Sequence, residues 1–169
     1  MKITKKTKVK EILPFLTEER FNKLLEAVEE YPLDKNILSF SIGEFADLTI
    51  DEESYIKKIL NPKEKVYIAF GKLKSYRNQM KQLADYLKTF ELKLTPEEKQ
   101  ASQGIDLPST VERILLDTVK AYHLHSTKEA EELPLTDWIL FLKDSVATAR
   151  YSRNYNKILE QKAKAHRKK

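Results

Sequence analysis

Cysteine is absent from this chain, which removes a disulfide frame, a thiolate metal site and a cysteine nucleophile together. Glycine is nearly as scarce. Gly43, Gly71 and Gly104 are the only three in 169 residues, and with six prolines they leave little material for hairpins or phosphate loops. No nucleophile elbow, phosphate loop or dinucleotide fingerprint occurs, so neither an enzyme nor a bound cofactor is expected. No apolar run approaches the roughly 20 residues of a membrane span. The basic start, Met1 to Lys10, meets Glu11 within a broken apolar run and has no signal-peptide core. These gaps lead to the expectation of a soluble, intracellular protein without membrane contact.

Leu, Lys, Glu and Ala dominate, which favours helix. The length makes one core feasible and two full domains unnecessary. The clearest pattern lies between Val66 and Leu94, where Val66, Ala69, Leu73, Tyr76, Met80, Leu83, Leu87, Phe90 and Leu94 recur at spacings of three and four. These residues share one face of a helix, and such a seam is stable only when another helix covers it.

Capping residues, Pro and Gly divide the rest. Thr7 is positioned to cap a short helix to Leu13, and Thr17 to start one bearing Phe21, Leu24, Leu25 and Val28. Ser41 with Glu44 and Ser109 with Glu112 have capping-box spacing, and Asp51 opens another short helix. Thr95-Pro96-Glu97-Glu98 signals a further start, closed by Gly104, and Ser126 with Glu129 caps a turn before Leu133-Pro134. Thr136 or Asp137 opens a long helix carrying Trp138, Ile139, Leu142 and Val146. Ile37 to Ile42 alternates briefly and reads as an extended connector rather than a sheet strand. The prediction is an all-α fold, a bundle with three main helices over about 66–94, 110–124 and 136–160. Residues 1–62 form a short-helix unit packed on the bundle of 63–161, and 162–169 form a basic tail. Leu73, Met80, Leu83, Leu87, Ile114, Leu115, Val119, Ile139, Leu142 and Val146 are the predicted core.

Charge is unevenly placed. Residues 1–10 hold five lysines and no acid. Residues 150–169 hold Arg150, Arg153, Lys157, Lys162, Lys164, Arg167, Lys168 and Lys169 against Glu160, a balance of +7. Because the whole chain is +5, residues 11–149 carry −7. An acidic body with basic ends points to head-to-tail assembly, to ends that meet a polyanion, or to lysines that only solvate the termini.

Candidate sites are few. His123 and His125 lie two apart, so on a helix they point to different sides and cannot share a metal in the usual way. They read as ordinary helix-end histidines, and no metal is expected. The acid pairs Glu18/Glu19, Glu52/Glu53, Glu97/Glu98 and Glu131/Glu132 mostly fall in first helical turns, where negative charge is favoured. Arg150-Tyr151-Ser152-Arg153-Asn154-Tyr155 interleaves cations with aromatics, which suits nucleic acid, a protein partner or plain helix packing. Leu73, Tyr76, Met80, Trp138, Tyr151 and Tyr155 are the candidate partner-binding residues, since the two long seams exceed what a small bundle needs. The eight cations of 150–169 are the candidate polyanion contacts. Self-association, or binding to an extended helical partner, is expected.

The order of short motifs adds one resemblance. Ile12-Leu13-Pro14-Phe15-Leu16-Thr17-Glu18-Glu19-Arg20-Phe21 precedes Tyr31-Pro32-Leu33 and Ser41-Ile42-Gly43-Glu44-Phe45-Ala46-Asp47-Leu48, and Leu133-Pro134-Leu135-Thr136 introduces the final helix with its basic end. This layout resembles small all-helical phage proteins, in particular tail assembly chaperones of long-tailed phages and of prophages in Bacteroides-like bacteria. The resemblance implies a non-enzymatic protein of the host cytoplasm that coats the helical tape-measure protein and recruits tail-tube subunits, with no catalytic residues. Apolar helix faces would then be the binding surfaces, in a helix-in-groove mode. The alternatives are a structural virion protein (neck, portal-associated or cargo) whose basic ends meet DNA or an acidic neighbour, and a helical nucleic-acid-binding protein.

Overall fold

The computed structural model describes residues 3–4, 6–90, 95–101 and 109–167. The fold is all-α. In chain order the helices are α1 (Val9–Ile12), α2 (Glu18–Ala27), α3 (Ile42–Ile50), α4 (Glu52–Ile59), α5 (Val66–Lys88), α6 (Pro96–Ala101), α7 (Thr110–Tyr122), α8 (Thr127–Glu132) and α9 (Leu135–Arg167), with single 3-10 turns at Leu13–Phe15 and Ile37–Ser39.

Local chemistry sets most of the starts. The Thr17 hydroxyl accepts from the Arg20 N–H to cap α2, and the Asp51 carboxylate accepts from the Ser54 N–H to cap α4. Both capping boxes form. At α3 the Ser41 N–H donates to Glu44 at 2.7 Å and the Glu44 N–H returns a bond to the Ser41 hydroxyl at 3.1 Å. Ser109 and Glu112 do the same for α7. Thr7 is an exception: it is buried, and its hydroxyl accepts from the Thr4 N–H, while Lys8 starts α1 without a side-chain cap. The two long helices also differ from their predicted bounds. Helix α5 ends at Lys88 with Thr89 as its cap, and residues 91–94 lie outside the described residues. Helix α9 runs on to Arg167, continuing into the basic end of the chain beyond the predicted bound at about 160.

The packing differs from a plain three-helix bundle. Helix α5 packs mainly against α2, α4 and the turn at 37–39, whereas α9 packs against α7, α3 and that same turn. Residues 37–48 are therefore a wedge between the two long helices, and Ile37, Phe40, Ile42, Phe45 and Leu48 are all buried. They share one apolar cluster with Leu73, Tyr76, Leu83, Ile114, Leu135, Trp138 and Ile139. The predicted core residues all lie inside: Leu73, Leu83, Ile114, Ile139 and Val146 are buried, and Met80, Leu87, Leu115, Val119 and Leu142 are half-buried.

Two isolated antiparallel bridges lace helix starts together, Lys8 with Lys65 and Ser41 with Pro134. At the second, the Ile42 N–H donates to the Leu133 carbonyl at 2.8 Å and the Leu135 N–H to the Phe40 carbonyl at 2.9 Å. The Ile37 N–H, on the other side of the wedge, is taken by the Gln79 side-chain oxygen of α5 at 3.0 Å. A second lacing runs along α5. Lys74 donates to the carbonyls of Val28 and Glu26, Ser75 to the Tyr31 carbonyl, and Asn78 to the Glu30 carboxylate. Gly71 permits this close passage, because a Cβ there would sit 2.7 Å from the Glu29 carbonyl oxygen and 2.8 Å from the Tyr31 Cβ.

Tyr76 sits at the centre of the α5 seam. It is 1% exposed, its ring stands 5.1 Å from that of Tyr55, and its hydroxyl donates to the Glu52 carboxylate at 2.9 Å. Burial, followed by the bond to Glu52, pushes its phenol well above the ordinary value of 10.0.

Two outcomes test this arrangement. Neighbours Ile37 and Leu38 are buried and half-exposed respectively. Ile37→Ala should therefore lower unfolding free energy by about 2–5 kcal/mol, and Leu38→Ala by no more than about 1 kcal/mol, in denaturant melts. For Tyr76, the folded protein holds the phenolic proton more tightly than the unfolded chain does. That stabilisation is intact below pH 10 and is lost as pH rises from there through the raised folded-state value. Melting temperature should fall steeply above pH 10, and Tyr76→Phe should make that fall shallower, with Tyr55 supplying the slope that remains.

Candidate functional site

Helix α9 has two unlike halves. Leu135, Trp138, Ile139 and Val146 are buried in the body, with Leu142 packed beside them. From Asn154 to Lys164 every side chain is exposed. At 1.5 Å per residue the helix is about 50 Å long, of which the last 20 Å or so stands clear of the body. No Gly or Pro follows Pro134, so nothing breaks the helix where its core contacts end.

An apolar stripe runs along the outer side. Leu140, Ala147, Tyr151 and Ile158 lie seven, four and seven residues apart, which puts them on one face opposite Leu135, Ile139, Leu142 and Val146. Leu140 is 65% exposed and Tyr151 69% exposed, Ile158 is about half exposed, and Tyr155 and Leu159 flank the stripe, also about half exposed. The rings of Tyr151 and Tyr155 stack nearly parallel, with centroids 6.2 Å apart and planes inclined by 10°.

The predicted partner-binding residues thus separate into two groups. Tyr151 and Tyr155 are on the surface. Leu73, Tyr76 and Trp138 are interior, which withholds them from a partner in the folded chain, and Met80 is half-buried against the core. The α5 seam, read as more than a small bundle needs, packs on α2, α4 and the 37–39 turn, with Met80, Leu87 and Phe90 half-buried and Leu94 outside the described residues. Leu140 was missed in the sequence because it falls out of register with Trp138, Ile139 and Leu142, and that offset is the signal of a second face.

The predicted polyanion contacts divide as well. Arg150 donates to the Thr89 carbonyl at 3.0 Å, where a cation suits the negative end of α5. Arg153 is half-buried, whereas Lys157, Lys162 and Lys164 are exposed along the free half of α9. Arg167 ends the helix, its side chain outside the described part, and Lys168 and Lys169 lie outside the described residues. His123 takes the left-handed conformation that ends α7, with φ of 53°, a position usually given to glycine. Among the described residues no group of three or more His, Asp or Glu could hold a metal ion, and no helix is long and apolar enough to cross a membrane.

A second surface feature is an open groove of about 660 Å3 between α3, α4 and the start of α5. Leu33, Phe40, Leu48, Tyr55 and Ile59 form its floor, and Asp34, Glu44, Asp47, Asp51 and Glu64 its acidic rim. Lys35 and Lys72 also line it, but each is held by a rim acid: Lys35 pairs with Glu44 at 2.5 Å and Lys72 with Asp34 at 2.8 Å. The Glu44 carboxyl is pulled below its ordinary value, first by the Lys35 ammonium and then by the Ser41 N–H.

No protein-family model, curated protein or solved structure matches the chain.

The free end of α9 has no core to stabilise. Deleting residues 162–169 should shift the melting temperature by no more than about 2 °C, as measured by circular dichroism. A larger drop would show that this end packs on the body.

Proposed function

We propose that the protein is a non-enzymatic phage assembly protein, a tail assembly chaperone that takes the helical tape-measure protein along the outer side of α9. The observation that carries partner binding is the exposed apolar stripe of Leu140, Tyr151 and Ile158 along the outer side of α9, whose side chains from Asn154 to Lys164 are all exposed. Isolated helices of this length are marginal in water, and a second amphipathic helix laid along the stripe would bury it. The phage assignment rests on the order of short motifs from Ile12 to Leu48 and at Leu133–Thr136. On this reading the protein acts in the host cytoplasm.

The second reading, a virion structural protein or a helical nucleic-acid binder, is favoured by Lys157, Lys162 and Lys164 on the same helix half, beside the stacked tyrosines. Salt separates the two, because phosphate binding weakens steeply as salt rises and apolar helix pairing does not. The protein would be co-expressed with the tape-measure protein encoded beside it and purified at about 0.05 and 0.5 M salt. The chaperone reading expects capture at both, lost in Tyr151→Glu/Ile158→Glu. A chain that ignores the tape measure and binds DNA with a steep salt slope would overturn it.

A further inference from the structure

We infer that the free half of α9 in one copy seats in the acidic groove between α3 and α4 of a second copy, so that the chain assembles head to tail. The inference uses the uncovered half of α9 but not the identity of any outside partner, so it stands or falls separately from the chaperone reading.

Charge selects the occupant. Residues 150–169 carry +7, so two copies laid end against end along this stretch would repel. The stripe needs a surface that is apolar in the middle and negative around it. Residues 11–149 carry −7, and within them the groove joins the two properties. Phe40, Tyr55 and Ile59 give the floor, while Asp47, Asp51 and Glu64 stand on the rim. The groove's lysines do not cancel this, since Lys35 and Lys72 are already engaged by Glu44 and Asp34, which leaves Lys58 as the remaining cation of the lining.

The helix supplies the complement. Tyr151, Tyr155 and Ile158 match an aromatic and aliphatic floor, and Lys162, one turn after Ile158 on the same face, is placed to meet the rim, while Lys157 and Lys164 add positive charge from the other side of the helix. A volume of about 660 Å3 holds a few such side chains rather than a whole helix. The contact is thus a row of side chains pressed into a groove, with the helix backbone riding above it. Because groove and helix are different patches, each copy in a pair still offers one of each. The assembly is heterologous, a ring or an open chain according to whether the rotation closes.

Complementation tests this directly. One variant reverses the groove (Asp47→Lys/Ser54→Lys) and keeps the helix. The other reverses the helix (Ile158→Glu/Lys162→Glu) and keeps the groove. All four replaced residues are exposed and none is a helix N-cap; the Ser54 hydroxyl bonds the Asp51 cap, a bond that the Asp47→Asn variant leaves intact. Full-length protein freed of nucleic acid would be run in sedimentation velocity over a series of concentrations. The unaltered chain should form species above the 19.8 kDa of one copy, in amounts that grow with concentration and fall as salt rises. Each variant alone should stay at one copy. Mixed together they should give a one-to-one pair and nothing larger, because one intact helix meets one intact groove. If the groove variant does not fold, Asp47→Asn takes its place and should weaken self-association severalfold. An unaltered chain that remains a single copy, a helix variant that still assembles, or a mixture that fails to pair would overturn the proposal.

Discussion

The backbone of residues 37–42 is the constraint on which the rest of this fold depends. It lies between the two long helices, and a buried backbone must find partners for its polar groups or lose stability. It finds them on both sides. Gln79 of α5 takes the Ile37 N–H, and the start of α9 trades bonds with Phe40 and Ile42 across Leu133 and Leu135. Those bonds allow Ile37, Phe40 and Ile42 to be buried from a segment that is barely helical. Without the wedge, α5 and α9 would lack their shared neighbour, since neither packs chiefly on the other.

The same economy explains the polar side of α5. Lys74, Ser75, Asn78 and Gln79 are polar, yet all four bond to residues 26–37, and Ser75 is buried. Lys74 supplies a cation to the last carbonyls around α2, where the helix dipole is negative. Gly71 lets this segment pass at a distance no side chain would permit. Helix α5 is consequently covered on its apolar side by packing and tied by hydrogen bonds to residues 26–37 along part of its polar side, while Tyr67, Arg77, Lys81 and Tyr86 stay exposed.

What could be read in the sequence was what is local. Thr17, Ser41, Asp51, Ser109 and Ser126 all cap helices, because a cap needs only a short oxygen-bearing side chain and an N–H three residues on. The all-α class and the core list followed from periodicity, since spacings of three and four define a face whatever covers it. What covers it was not legible. The seam of α5 and the stripe of α9 have the same kind of pattern, and only the tertiary arrangement makes Tyr76 interior and Tyr151 exterior. Arg150 shows the same limit: its place in a basic run pointed to a polyanion, while a carbonyl 61 positions earlier holds its guanidinium. The connector at 37–42, read as extended, is a 3-10 turn over Ile37–Ser39 with only Phe40 and Ser41 extended before α3 begins, and its central place was not legible because its partners lie far along the chain.

The geometry of α9 constrains any account of the surface it leaves open. Its core-facing residues, Leu135, Ile139, Leu142 and Val146, and its outer residues, Leu140, Ala147, Tyr151 and Ile158, lie on opposite sides of one helix. Extending the body further along α9 would bury more of the first set and none of the second. The stripe is therefore not the unfinished edge of the existing core. Whatever covers it approaches from the side away from the body, where the first contacts are Leu140 and Tyr151 and the last are Ile158 and Lys162. An acidic surface with an apolar centre meets those demands in that order, and a bare polyanion meets only the last of them.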